Sequence, residues 1–159
     1  MAQDIRIDND QGHFKLRVAG ILQQNGKILA NIINQNDFYC FAGGHVELGE
    51  TLDHAIKREM EEELGFEVKI ERPIFIVENF YTKNNEKWHE ICCYYLISSA
   101  FAPKEDWELV ELDKGVQKRQ QFKWLTPNDI AKVDFKPALV KSLLLELDKP
   151  FRVITHKDK

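Results

Sequence analysis

The chain has 159 residues, of which 43% are apolar and 30% charged. This composition excludes a disordered or fibrous protein and predicts one globular domain over residues 1–159. The net charge of −4 disfavours binding to long nucleic acid, which requires an excess of Lys and Arg on one face. The sequence contains no apolar run of about 18 residues and no signal-peptide pattern, so we expect a cytoplasmic protein without a membrane partner.

The first half of the chain begins with a predicted β-hairpin. Residues 13–23 alternate between apolar and polar side chains, Asn25-Gly26 is a strong turn signal, and residues 27–33 form the second strand. A short apolar strand, Phe38 to Ala42, leads into Gly43-Gly44 and a loop over residues 45–50. Helical spacing then runs from Thr51 to Leu64 and stops at Gly65.

The second half is predicted to contain, in order, strands over residues 67–81 and 88–100, a strand over 120–125, a short helix from Pro127 and an amphipathic helix over 137–147. Residues 102–118 are rich in charged residues and predict a long polar loop. The tail from Pro150 is expected to be extended and frayed. Several strands with few helices predict a mixed β-sheet with helices packed on it, in the α/β class of α+β type.

Three cysteines, Cys40, Cys92 and Cys93, lie in apolar, strand-like segments. Their odd number and the absence of a CxxC spacing favour buried reduced thiols over a disulfide framework or a zinc site.

The helix over residues 51–64 carries acidic residues where apolar ones are expected. At about 100° per residue, Glu59 and Glu63 project close to the direction of Leu52 and Ile56, and Glu62 lies beside Ala55. Three carboxylates are therefore predicted to point where apolar side chains are expected, whereas Glu61 lies on the opposite, solvated face. Like charges three and four residues apart, near the negative end of the helix dipole, repel one another unless a cation compensates. Oxygen ligands alone favour Mg²⁺ or Mn²⁺, which also bind substrate phosphates. A solvated acidic face is the alternative.

Two neighbouring features fit the same interpretation. Gly43-Gly44 would allow the backbone to approach a metal or a phosphate closely, although a plain tight turn also explains them. Arg58 could form a forked ion pair with Glu50 and so tie the glycine loop to the helix, or it could be an ordinary surface residue.

Residues 44–66, GHVELGETLDHAIKREMEEELGF, resemble the Nudix box, G-x(5)-E-x(7)-R-E-U-x-E-E-x-G-U with U apolar, and every specified position is met. The resemblance implies a Nudix-like α/β/α sandwich around a mixed sheet. One departure is Ala42, where many family members have proline before the two glycines.

The resemblance also implies the site residues. The metal ligands would be the carboxylates of Glu59, Glu62 and Glu63 with the carbonyl of Gly44, while Arg58 would orient Glu50. The general base would come from the box or from a later loop, where Glu108 and Glu111 are the candidates. The implied reaction is attack by a Mg²⁺-activated water on phosphorus, in a nucleoside diphosphate linked to another group.

The substrate is less well determined by the sequence. Candidate walls for a nucleotide base are the aromatic residues Phe38, Tyr39, Phe80, Tyr81 and Trp88. Nucleoside triphosphates, dinucleoside polyphosphates and capped RNA ends stay open, whereas the short segment before the box makes sugar nucleotides and ADP-ribose less favoured. Two alternatives to an enzyme are a catalytically silent Nudix-fold nucleotide sensor and a metal-independent acidic interaction module. Family members are often dimers, which makes a homodimer an open expectation.

Overall fold

The computed structural model of the chain describes residues 2–113 and 115–157. Its strands are β1 (Arg6–Asn9), β2 (Gly12–Gln24), β3 (Lys27–Ile33), β4 (Gly43–His45), β5 (Lys69–Lys83), β6 (Glu86–Ser98), β7 (Trp107–Asp113), β8 (Val116–Leu125) and β9 (Arg152–Lys157). Its helices are α1 (Leu52–Leu64), α2 (Pro127–Lys132) and α3 (Leu139–Leu143), the last continued by a 3-10 turn over Leu144–Glu146.

The described strands form one mixed sheet in the order β7-β8-β3-β2-β6-β5-β9, with β1 and β4 also paired to β2. The pairs β2–β6 and β5–β9 are parallel, and the other neighbours are antiparallel. Helices cover both faces. On one face α1 buries Ile56 and Met60, and on the other α2 and α3 bury Ile130 and Val140. The predicted mixed sheet of the α+β type is confirmed.

The hairpin between β2 and β3 opens a gap in the sheet. Asn25 and Gly26 both have positive φ, 53° and 73°, as the tight turn requires. The two strands are paired only beside this turn, at Gln23 and Gln24. Farther along, β4 occupies part of this gap, where it pairs with residues 17–19 of β2.

The predicted loop over residues 102–118 is wrong for most of its length. Trp107–Asp113 forms β7, which pairs antiparallel with β8, and β8 begins at Val116, four residues before the predicted start. The inward positions of β7 alternate with outward ones: Trp107 and Leu109 pack on the core, while Val110 is exposed. This alternation is not visible in the sequence, because β7 has acidic residues both at inward positions (Glu111) and at outward ones (Glu108). Lys114 lies outside the described residues.

Other boundaries also differ from the predictions. The segment from Phe38 to Ala42 makes only isolated bridges instead of a strand, and the two glycines after it belong to β4 instead of a loop. The helix predicted over 137–147 is limited to α3 and its 3-10 turn. The tail is not frayed as far as Lys157, because β9 pairs with residues 75–80 of β5.

The three cysteines are free. Cys92 and Cys93 are buried in β6, and Cys40 is half-buried.

Candidate active site

The acidic helix α1 is fixed at both ends by local signals. The Thr51 side chain accepts a hydrogen bond from the backbone N–H of His54 at 3.1 Å and caps the first turn. Gly65, with φ of 82°, ends the helix in the left-handed conformation that suits glycine. Buried Ile56 and Met60 fix the rotation of the helix, so the positions of its glutamates are also fixed.

Arg58 connects the loop before α1 to the helix. Its Nε and Nη2 donate to the two carboxylate oxygens of Glu50 at 2.7 and 2.9 Å, and Nη2 also donates to the carbonyl of His45 at 3.0 Å. Its Nη1 donates to Glu59 at 2.9 Å. The hydrogen bonds from Arg58 lower the pKa of Glu50 to about 2, so this carboxylate is ionised at neutral pH.

Glu59 lies against the backbone of Gly44. A Cβ atom at Gly44 would lie 2.2 Å from the Glu59 carboxyl group, so a larger residue there would force this carboxyl group to move. Glu59 is 8% exposed, and this burial raises its pKa although the Arg58 hydrogen bond opposes the shift. A buried carboxylate whose negative charge is only partly compensated, and which lies beside the backbone of a glycine, is suited to bind a cation.

Gly43 is required for a different steric reason, the close approach of two strands. A Cβ atom there would lie 2.2 Å from the carbonyl oxygen of Val18, so the glycine allows β4 to approach β2. Gly43 also lines the cleft described below.

The other two predicted ligands differ in burial. The side chain of Glu63 is 13% exposed and accepts a hydrogen bond from Lys118 Nζ at 2.9 Å. The side chain of Glu62 is 60% exposed and lies 3.4 Å from Arg58 Nη1. Within residues 2–113 and 115–157, no three His, Cys, Asp or Glu side chains converge closely enough to hold a metal ion. Each of the three predicted ligands instead contacts a protein cation.

The two candidate bases in β7 point in different directions. Glu111 accepts a hydrogen bond from Gln120 Nε2 at 3.3 Å and lies 3.9 Å from Lys118, the partner of Glu63. Glu108 instead pairs with Arg119 at 3.1 Å, and both of these side chains are exposed. The structure therefore brings Glu111 towards the box and leaves Glu108 away from it.

A cleft of about 750 Å³ opens beside Glu63, in the gap between β2 and β3. Lys15, Arg17 and Lys118 contribute positive charge to its lining. Sequence reasoning missed these three. The signal for the first two was available, since a core strand with Lys and Arg on alternate positions departs from an apolar inner face.

Aromatic residues form part of the cleft wall. Phe38 and Tyr81, both predicted candidates, line the cleft together with Phe135. Trp88 lies behind Tyr81, with their rings stacked at 6.0 Å, and stacks on His13 at 4.3 Å.

The remaining aromatic candidates, and the neighbouring polar residues His89 and Glu90 of β6, have packing or ion-pair partners. Phe80 stacks on His89 at 4.2 Å, and Tyr39 stacks on Phe135 at 6.5 Å. His89 lies 2.9 Å from Glu78, and Glu90, which borders the cleft, pairs with Lys15 at 2.9 Å.

A family model described as NUDIX domain matches residues 9–144. The chain belongs to the Nudix hydrolase family. The nucleoside triphosphatase NudI of Escherichia coli O81 (strain ED1a) is 29% identical over 112 residues, which are 68% of this chain and 75% of that protein. The protein of the same name from Shigella flexneri serotype 5b (strain 8401) is 28% identical over the same shares.

Solved structures of Nudix proteins share the fold. The MutT protein from Bacillus halodurans superposes with a TM-score of 0.66 at 12% identity, over 90% of this chain and 89% of that one. The ORF135 protein of E. coli gives a TM-score of 0.56 at 23% identity, over 86% and 94% of the two chains. None of the described helices is long and apolar enough to cross a membrane.

Proposed function

We propose that this Nudix hydrolase uses Mg²⁺, or Mn²⁺ in its place, to hydrolyse a phosphoanhydride bond in a nucleoside diphosphate linked to another group. The observation that supports this most directly is the Glu59 carboxylate, which is buried directly against Gly44, in the space that a Cβ atom at residue 44 would occupy. The hydrogen bond from Arg58 compensates this buried charge only in part, and a bound cation would complete the compensation.

The chain offers oxygen ligands for the cation. Glu59, Glu62 and Glu63 would hold it with the carbonyl of Gly44, and the Arg58–Glu50 pair would keep the glycine segment in register with α1. When bound, the cation would supply neutralisation of phosphate charge and activation of water.

The protein groups around the cleft would perform the remaining steps. Arg17 and Lys15 would bind the phosphates, and Tyr81 and Phe38 would contact the base. Glu111 would take the proton from the attacking water, with a box glutamate as the other candidate. A covalent route through Cys40 is disfavoured, because burial raises the pKa of its thiol to about 11 and keeps it protonated at neutral pH.

The substrate belongs to this proposal, and a nucleoside triphosphate is one member of the class. The relatives from E. coli and S. flexneri carry the name nucleoside triphosphatase. We therefore propose that nucleoside triphosphates be tested first, and that dinucleoside polyphosphates, ADP-ribose and sugar nucleotides be compared with them. A cytoplasmic location, a small nucleotide as the partner and a homodimer stay predictions.

The test is hydrolysis of this nucleotide panel with Mg²⁺ or Mn²⁺, followed by chromatography of the products. We expect Glu59→Gln, Glu63→Gln and Gly44→Ala to lower kcat/KM by at least about 100-fold, because each disturbs cation binding. Glu61→Gln is the matched control, since Glu61 lies on the same helix and is exposed. If the wild type binds a nucleotide but cleaves none of the panel, the sensor alternative replaces the enzyme.

A further inference from the structure

Lys118 occupies the position of a counterion at the metal-ligand set. Its ammonium group donates to Glu63 Oε1 at 2.9 Å, and the two side chains are 19% and 13% exposed. A carboxylate so far removed from water needs a positive partner. In the described structure that partner is a lysine of β8, which lies outside the box.

Lys118 is less firmly anchored than Arg58, the other cation among the box carboxylates. Arg58 is held by a forked pair with Glu50 and by the carbonyl of His45. Within residues 2–113 and 115–157, the ion pairs of Lys118 are with two carboxylates, Glu63 at 2.9 Å and Glu111 at 3.9 Å. Lys118 is therefore the cation that can leave with little rearrangement.

Glu111 is placed to receive the lysine. Its carboxylate is 40% exposed and is already held by the Gln120 side chain at 3.3 Å. Gln120 is itself completely buried, and its carbonyl oxygen accepts a hydrogen bond from Asn31 at 2.8 Å. Its amide N–H₂ must therefore point at Glu111, which holds that carboxylate within reach of Lys118.

We propose that Lys118 is a resident counterion of the metal site: a divalent cation displaces it from Glu63, and the ammonium group then pairs with Glu111. The proposal rests on the proposed function, because it takes Glu63 as a metal ligand. An ammonium and a divalent cation repel each other and compete for the same carboxylate, so Lys118 opposes metal binding and Glu111 reduces that opposition.

The first experiment measures Mn²⁺ binding by calorimetry without nucleotide. We expect Lys118→Met to lower the Kd for Mn²⁺ at least threefold, and Lys123→Met, a change of the same kind on the same strand, to leave it unchanged. Lys118→Gln, which removes the charge but keeps a hydrogen-bond donor, should act like Lys118→Met and serves if the methionine variant does not fold. An equal or weaker Mn²⁺ affinity in the Lys118 variants overturns the proposal.

The second experiment separates transfer to Glu111 from a simple effect of charge. We expect Glu111→Gln to raise the Kd for Mn²⁺ at least threefold in the wild type and to have no effect when Lys118 is methionine. An equal effect in both backgrounds shows that Glu111 attracts the cation directly and overturns the transfer. These binding experiments contain no nucleotide, so their outcome does not depend on hydrolysis. If the wild type hydrolyses nothing in the nucleotide panel, that result counts against the proposed function alone.

Discussion

Arg58 and Glu50 form the charged pair that connects the acidic helix to the loop before it. Glu50 has its pKa lowered to about 2 by the hydrogen bonds from Arg58. A carboxyl group with a lowered pKa in the folded state stabilises the protein above its unfolded pKa, and this contribution is lost as the pH falls through the folded value. The pair should therefore stabilise the fold at neutral pH and lose its effect between about pH 4.5 and pH 2.

We expect Arg58→Met to lower the free energy of unfolding at pH 7 by about 2 kcal/mol, because hydrogen bonds to charged groups are lost and solvent screens part of the effect. The difference from the wild type should shrink below pH 4.5, as Glu50 loses its charge. Urea denaturation at several pH values measures this. Arg58→Lys keeps the charge without the fork and should fall between the two; a difference independent of pH would contradict the assignment to Glu50.

At the residue scale, the angular argument from the helix period predicted which glutamates turn inward. Glu59 and Glu63 are buried or half-buried and Glu61 is exposed, as expected. The prediction is wrong for Glu62, whose side chain is 60% exposed instead of facing inward. The sequence could not reveal the partner of Glu63, because Lys118 lies on a distant strand and no local pattern links the two. The metal-binding roles themselves stay predictions.

The hairpin of β7 and β8 packs on the core through one large aromatic side chain, Trp107. Trp107 stacks on Phe122 at 4.7 Å and contacts Phe66 just beyond the end of α1 at 6.0 Å. We expect Trp107→Ala to lower the free energy of unfolding by about 3 kcal/mol, since a large side chain is lost from a packed cluster. The comparison is Leu112→Ala on the same strand, where the side chain is 78% exposed, with an expected loss below about 0.5 kcal/mol.

Urea denaturation curves of the Trp107 and Leu112 variants measure the two losses of unfolding free energy. Equal losses would mean that Trp107 does not hold the hairpin. Activity gives a second readout, because β7 also carries Glu111. If the hairpin loosens, we expect kcat/KM to fall in the Trp107 variant even under conditions where the fold persists.

At the element scale, prediction worked where a local signal marked the boundaries and failed where only tertiary pairing did. Asn25-Gly26 and the cap residues of α1 fixed the first hairpin and the acidic helix. β9 has no such signal: it is six residues long, has alternating burial and is stabilised by parallel pairing with β5, which is distant in sequence. Composition therefore favoured an extended tail, and the partner strand decided its actual structure.

For the molecule as a whole, the proposed cation site would link cation binding to folding. The folded chain assembles Glu59, Glu63 and the Gly44 backbone from two elements, and the unfolded chain does not, so a bound cation stabilises the folded state by mass action. We expect Mn²⁺ at about 100 times its Kd to raise the unfolding free energy by about 2.7 kcal/mol. Thermal melts with and without Mn²⁺ should show a rise in Tm for the wild type and Glu61→Gln, and none for Glu63→Gln. A rise of equal size in all three would place the binding elsewhere.

The general architecture was predictable because the box fixes one strand-to-helix connection and the remaining strands alternate with few helices. The cleft was not, since it depends on the separation of β2 from β3 and on residues brought together from both halves of the chain. Hydrophobic patterning describes what an element buries, and it carries no information on where two neighbouring strands part.

The stack of Trp88 on Tyr81 has an optical consequence. Indole emission responds to changes in the packing and polarity around the ring, and this indole stacks on Tyr81, which lines the cleft. A nucleotide that stacks on Tyr81 would therefore alter the fluorescence of Trp88, while Trp107 and Trp124, which pack together at 6.4 Å, would supply a constant background. The protein thus carries an intrinsic reporter of cleft occupancy, readable without a label.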